Sequence, residues 1–256
     1  MEITTWGTSQ DSSAVPDGQI KYYLFVINRY TITSDGEALS DRFSAEISSH
    51  YKPRYNAAPS QLLPVLTSDQ PEGFSWFYWG LSPDRSRNKA ISERIINRSA
   101  EDLIKKTAYL KSLAAHRCLI PADGFYFWKQ VGKKTHVPYR ALMQEKSVFG
   151  IAGLWEEFET EKGEIHHTFA MITCAAPQGL SGIIERVPLI LTETEEKIWL
   201  KSPYESEVKK LLTEFRDWNF DYYSVSPAIE QEARDLPSML LHTPPADQFG
   251  NLTLFG

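Results

Sequence analysis

The chain is short of cysteine, has no long apolar run and carries no excess of basic charge, and each shortage closes off a class of protein. Two cysteines, Cys118 and Cys174, are too few for a secreted disulfide framework and stand at no metal-ligand spacing. Reduced thiols are expected, and neither a metal nor a cofactor is. No stretch approaches the roughly 18 to 20 apolar residues of a membrane span, and Met1 to Gln10 has neither the basic nor the apolar part of a secretory signal. A cytoplasmic protein without membrane contact is expected. The net charge is −6, whereas a protein that grips many phosphates usually has a basic face and releases counterions as it binds. Any nucleic-acid contact must then be confined to a local cleft.

Aromatic residues are plentiful: 7 Trp, 12 Tyr and 13 Phe in 256 residues suit a β-rich core. Residues 1–19 are polar, end in the turn signal Pro16-Asp17-Gly18 and read as an extension. Strands are expected over Ile20 to Thr33, Leu62 to Leu66, Phe74 to Leu81, Arg117 to Ile120, Val148 to Trp155 and Thr168 to Thr173, and a short helix over Leu39 to Ile47. A further helix starts at the cap Ser99 and runs through Leu103 to Leu113. Thr192 with Glu195 forms a capping box for another, and Ser202-Pro203 with Glu205 marks the start of a last one. Val225 closes the final strand before an irregular, Pro-rich tail over 236–256. No repeat appears. One compact, β-rich α+β domain over 20–256 with peripheral helices, expected as a monomer, is the economical reading.

Spacing alone yields no catalytic constellation. His116 and Cys118 are two apart on a predicted strand and so share a face, which would suit a Cys/His nucleophilic pair. Leu119, Ile120 and Pro121 follow directly, however, and cysteine is among the most buried residue types, so the structural reading is preferred. His166 and His167, in a predicted hairpin, face opposite sides and make no metal site. Asn97-Arg98-Ser99 matches a glycosylation acceptor that has no meaning without a secretory signal. The strongest signals are polar motifs inside apolar strands, where a polar group is costly unless a partner or ligand compensates. They are Asn28-Arg29-Tyr30, Tyr55-Asn56-Ala57-Ala58-Pro59, the run from Arg117 to Trp128, and Glu185-Arg186-Val187-Pro188.

In this order the motifs resemble those of the SOS response-associated peptidase (SRAP) family from about Val26 to the end. The run Arg117 to Trp128 resembles the family's Arg-Cys-Leu-Ile-Pro-Ala-Asp-Gly-Phe-Tyr-Glu-Trp with one change. Trp79-Gly80-Leu81, Gly153-Leu154-Trp155 and the closing Asp247 to Phe255 add independent matches. The resemblance implies a cleft for single-stranded DNA and a role in the DNA damage response. It also implies that an amino-terminal cysteine, exposed by loss of the initiator methionine, closes a thiazolidine on the aldehyde of an abasic site. An asparagine, a glutamate and a histidine assist, and the same cysteine releases a propeptide where one is present.

Carried over residue by residue, that chemistry loses its groups. The family's Met-Cys-Gly-Arg-Tyr falls on Val26-Ile27-Asn28-Arg29-Tyr30, so the nucleophile position is Ile27, preceded by 26 residues; unless the chain is cleaved there, its nitrogen is a peptide nitrogen. The glutamate becomes Phe127 and the histidine Ile184, which removes both proton-exchanging groups. Asn56 is retained and is weighed equally as a ligand contact and as a turn residue bonded to backbone. Arg29, Arg98, Arg186 and Thr173 are candidate DNA or ligand contacts; Arg29 and Arg186 would equally pair with carboxylates such as Asp123 and Glu185. Arg85 and Arg87, with Lys89, lie where relatives place base-stacking aromatics, and are either phosphate contacts or a solvated loop. Three readings follow: a catalytically degenerate member retaining at most a cleft for single-stranded or abasic DNA or another ligand; an active abasic-site processor or peptidase using another nucleophile, with Cys118 the candidate; and a protein-interaction module that binds no DNA, the extension lying across the old site.

Overall fold

The computed structural model describes residues 27–80, 96–131, 135–159 and 162–245. Much of the expected first strand, Arg85 and Arg87, and the end of the tail lie outside them. Alternating burial divides the strands between two sheets. In the larger, β3 (Leu62–Thr67), β4 (Ser75–Trp79), β6 (Arg117–Ala122), β9 (Phe149–Glu159) and β10 (Ile165–Ala175) close a ring. Here β10 pairs in parallel with β4 and antiparallel with β9, from Ile165↔Glu159 to Met171↔Gly153. The smaller sheet runs in the order β13 (Phe220–Ser224), β8 (Thr135–Met143), β7 (Gly124–Val131), β1 (Tyr30–Ile32) and β2 (Arg54–Ala57).

Period-two alternation then builds three apolar layers. Phe125 and Phe127 of β7 join Leu63, Cys118, Ile151 and Phe169 of the ring in the core between the sheets. Tyr126 and Trp128 point the other way, onto Val225, Ile229 and Met239 of the segment after β13. On the far side of the ring, Leu119, Leu154 and Ile172 pack on α2 (Ala100–Lys105), α3 (Leu110–Ala115), α4 (Glu193–Lys201) and α5 (Glu205–Thr213) through Leu103, Leu113, Trp199 and Leu211. Trp79 and Trp199 are fully buried, and removing side chains of this size from a core costs about 3 to 5 kcal/mol.

Local chemistry sets most helix ends. Asp35 caps α1 (Gly36–Phe43) by accepting from Ala38 N, and Ser44 ends it in the left-handed region at φ 50. The helix therefore lies three to four residues earlier than the apolar pattern suggests. Thr192 and Glu195 form the expected capping box. Two expectations are corrected. The helix from Ser99 is interrupted at Lys106, which is extended, and resumes through a 3-10 turn at Thr107–Tyr109, leaving both Leu103 and Leu113 in one core cluster. The last helix starts at Glu205 rather than Pro203, because Ser202 is already engaged. Its N–H closes α4 on Ile198 O at 2.9 Å, and its carbonyl accepts from the Arg117 guanidinium at 2.8 Å.

Buried charges tie the layers together. Asp123 accepts from Thr31 at 2.5 Å, from Thr33 and from Arg140 at 3.0 Å, joining β1, β7 and β8. Arg117, 5% exposed, donates only to carbonyls, those of Leu113, Ala114, Trp199 and Ser202. Glu196 takes both arms of Arg42, at 3.0 and 2.7 Å, and accepts from Gly150 N at 2.9 Å. A Cβ on Gly150 would lie 2.6 Å from that carboxylate and 2.7 Å from Leu119. Gly150→Ala is therefore expected to destabilise the fold by about 1 to 3 kcal/mol, read as a lower urea midpoint at unchanged slope.

Candidate functional site

The polar groups of the candidate site are placed by β10. Beyond its pairing with β4 and β9, its last residues bond β5 (Asn97–Ser99) on one edge and β11 (Arg186–Pro188) on the other, with Thr173 opposite both Ser99 and Pro188. Arg186 then reaches across, donating from Nε to Thr173 Oγ1 at 3.0 Å and from Nη2 to Thr173 O at 2.6 Å and Glu101 at 2.7 Å. Partial burial pushes the Glu101 carboxyl up, but the hydrogen bond and charge of Arg186 outweigh it and hold that group below its ordinary range. The Thr173 hydroxyl also faces Arg98 O, at 3.5 Å, and the Arg98 guanidinium stands 5.9 Å from the centre of the Tyr109 ring.

Three apolar side chains expected at reacting positions lie in one core. Ile27, Phe127 and Ile184 are 4%, 3% and 5% exposed and belong to the same buried cluster. Phe127 stacks on Tyr139 at 5.6 Å and meets Tyr222 edge-on at 5.9 Å, so rings occupy its surroundings. Ile184 is held by its N–H to Leu180 O at 3.0 Å. None of the three side chains offers a proton or an electron pair for chemistry.

The two asparagines have different surroundings from those the motifs suggested. The amide nitrogen of Asn56, fully buried, donates to Ile229 O at 3.0 Å, Gln231 O at 3.3 Å and Arg234 O at 2.9 Å. Its side chain pins the 229–235 segment, and Asp235 returns the contact by accepting from Asn56 N at 2.9 Å. Asn97 is the asparagine that meets position 27: its Nδ2 donates to Ile27 O at 2.8 Å, while its Oδ1 is buried without a partner. In the sequence Asn97 stands out only as part of the Asn97-Arg98-Ser99 acceptor match and not as a site residue.

The arginines are also engaged with partners other than those expected. Arg29 reaches Ile229 O at 3.4 Å and Glu232 at 3.5 Å, not Asp123, whose partner is Arg140. Arg186 takes Glu101 rather than Glu185. His116 and Cys118 do not form a pair: the His116 ring lies 4.5 Å from that of Trp155, and Cys118 is fully buried, with its thiol pushed far up by burial. As the alternation predicts, His167 stacks on Phe77 and His166 meets Tyr78. Among the described residues no three His, Cys, Asp or Glu side chains gather as a metal site requires, and no helix is long and apolar enough to cross a membrane.

These features define a class: β-rich α+β proteins with a closed ring of strands and a polar group on the β5–β10–β11 edge beside the first strand. Residues 27–232 match the family model of the SOS response associated peptidase (SRAP), and the chain belongs to that family. It is 31% identical over 218 residues, 83% of this chain and 97% of the relative, to the abasic site processing protein YoqW of Bacillus subtilis. The abasic site processing protein HMCES of Rattus norvegicus is 27% identical over 237 residues, 77% of this chain and 66% of that protein. A crystal structure of a protein from Bacteroides thetaiotaomicron superposes with a TM-score of 0.69 at 22% identity, covering 84% of this chain and 99% of that one, which supports the fold.

Two outcomes follow from this geometry. Asn56→Ala removes the amide donor to three carbonyls of the 229–234 segment, leaving Ile229 O with the 3.4 Å contact from Arg29, and is expected to cost about 1 to 3 kcal/mol in chemical denaturation. The thiols should react in a fixed order. Burial pushes the Cys174 thiol up to about 11, so its alkylation rate in the native protein rises about tenfold per pH unit from pH 7 to 10. Cys118 stays unmodified until the protein unfolds, as peptide mass analysis of the alkylated chain would show.

Proposed function

We propose that this chain is a SRAP-family protein that has lost the covalent step of abasic-site processing and acts, where it acts on DNA or another ligand, by binding alone. The carrying observation is the joint burial of Ile27, Phe127 and Ile184 in one apolar cluster. The thiazolidine chemistry implied by the family resemblance needs a thiol and an amine at the first position and a proton donor and acceptor near the aldehyde. At Ile27 there is no thiol, and at Phe127 and Ile184 no group exchanges a proton. Cys118 does not replace the nucleophile, because a thiol raised by full burial supplies almost no thiolate and meets no substrate.

In this proposal the asparagine that faces the old reaction centre is Asn97, on the carbonyl of Ile27, and Asn56 is a structural clamp. Arg98, Arg186 and Thr173 form the polar edge beside it, with Arg29 on the neighbouring strand start. Arg85 and Arg87, outside the described residues, are proposed as phosphate contacts at its rim.

A second reading, a protein-interaction module without DNA binding, is favoured by the pairing of Arg186 with Glu101 and of Arg29 with Glu232, which competes with phosphate. Single-stranded DNA separates the two. Affinity falling steeply with salt supports a phosphate-binding cleft, and no binding near physiological salt supports the interaction module. Under both, incubation with single-stranded DNA carrying an abasic site leaves no adduct on a denaturing gel. A denaturation-resistant adduct on the wild-type chain would overturn the loss of the covalent step.

A further inference from the structure

A cavity lies behind β10, with Glu101, the carboxylate held by Arg186, on its rim. Successive side chains of a strand point to opposite faces, so while Thr173 meets Arg186, Cys174 lines a hollow of about 340 Å³ between α2, α5 and the strands β10, β11 and β12 (Ile190–Leu191). Its walls are apolar, with Ile104, Val187, Ile190, Leu212, Phe215 and Trp218 among them. The chain after α5 shapes it. Arg216 donates to Leu211 O and Glu214 O, both at 3.0 Å, and grips Glu195 with Nε at 3.0 and 3.1 Å. This turn holds Phe215 at the mouth, 66% exposed, while the Trp218 Nε1 donates to Ile190 O at 3.3 Å. A large aromatic side chain left this exposed beside an apolar hollow is unsatisfied by the fold itself, and volumes above about 300 Å³ are typical of small-molecule sites.

The rim charges indicate the ligand. Glu101 is taken by Arg186, and Arg216 by Glu195. The remaining rim charges, Lys105 and Glu214, are both exposed and of opposite sign. A balanced rim has no excess charge to attract a phosphate or a carboxylate, and the aromatic side chains suit a ring that stacks on them. We infer that this cavity binds a small, uncharged aromatic molecule about the size of a fused bicyclic ring. The site is separate from the group around Ile27 and does not depend on the function proposed for it.

Indole serves as the probe and Cys174 as the reporter. Because Cys118 is fully buried, slow alkylation of the native chain by N-ethylmaleimide at pH 8 reads Cys174 alone. Indole at twice its dissociation constant should slow that reaction about threefold, with half-protection below about 1 mM. Phe215→Ala, which removes an exposed side chain and leaves the core intact, should weaken the protection. Cys174→Phe, which fills the hollow, should abolish saturation transfer from the protein to indole in NMR. The anion indole-3-acetate should protect less well than indole. Absence of protection by indole at 5 mM, or unchanged saturation transfer in Cys174→Phe, would overturn the site; equal or better protection by indole-3-acetate would overturn the uncharged class.

Discussion

The strand β10 is the constraint on which the rest depends. Its first part closes the ring by pairing with β4 and β9, and its last five residues bond β5 and β11. One strand thus fixes the barrel and the place where Asn97, Arg98, Thr173 and Arg186 meet. It also separates two environments, with the Thr173 hydroxyl and its contact to Arg186 on one face and the apolar hollow at Cys174 on the other, and Glu101 joins Arg186 to the rim of that hollow. A shift of one residue in its register would exchange those faces, so the ladder hydrogen bonds specify the site as firmly as any side chain does.

Beside that edge Ile27, Phe127 and Ile184 are packed as core, and in the function proposed above they stand where the family's reacting groups would be. An ionised carboxylate or imidazolium in such surroundings carries a desolvation cost that a ring or a branched alkyl group avoids. On the proposed reading Phe127 and Ile184 supply packing in place of proton transfer, and Tyr139 stacks on Phe127 at 5.6 Å. The polar residues that remain are held by one another: Arg186 by Thr173 and Glu101, Arg29 by Ile229 O and Glu232, Asn56 by three carbonyls. Such contacts hold the shape of the family's fold.

Much of this was legible in the sequence. Alternating aromatic and β-branched runs located β3, β4, β6, β9 and β10, and the caps Ser99 and Thr192 located helix starts. The order of motifs pointed to the family and to position 27. Short strands escaped notice: β2, β5, β11 and β12 have two to four residues each and exist only through distant partners, as β5 does through β10; the longer hairpin β7–β8 was also not among the expected strands. Helix α5 began late because Ser202 was claimed by Arg117, a contact spanning 85 residues. The contacts of Asn56 and Asn97 were hidden for the same reason. A motif names the residue, but the 229–235 segment, folded back from more than 170 positions away, decides where the Asn56 amide points.

The central claim is that Phe127, the position proposed to match the family's carboxylate, sits in dry core, and an acid placed there tests it most directly. In Phe127→Glu the acid would be surrounded by Tyr139 and Tyr222 and would titrate well above the ordinary value of about 4.3. With its folded pKa raised, the variant should lose stability relative to wild type as pH climbs from about 4.3 to that raised value, and level off above it. The measurement is the stability difference between variant and wild type across pH 4 to 8, with the pKa read by NMR. A glutamate that titrates near 4.3, with a stability difference flat across that range, would show a wet and open cleft and contradict the account.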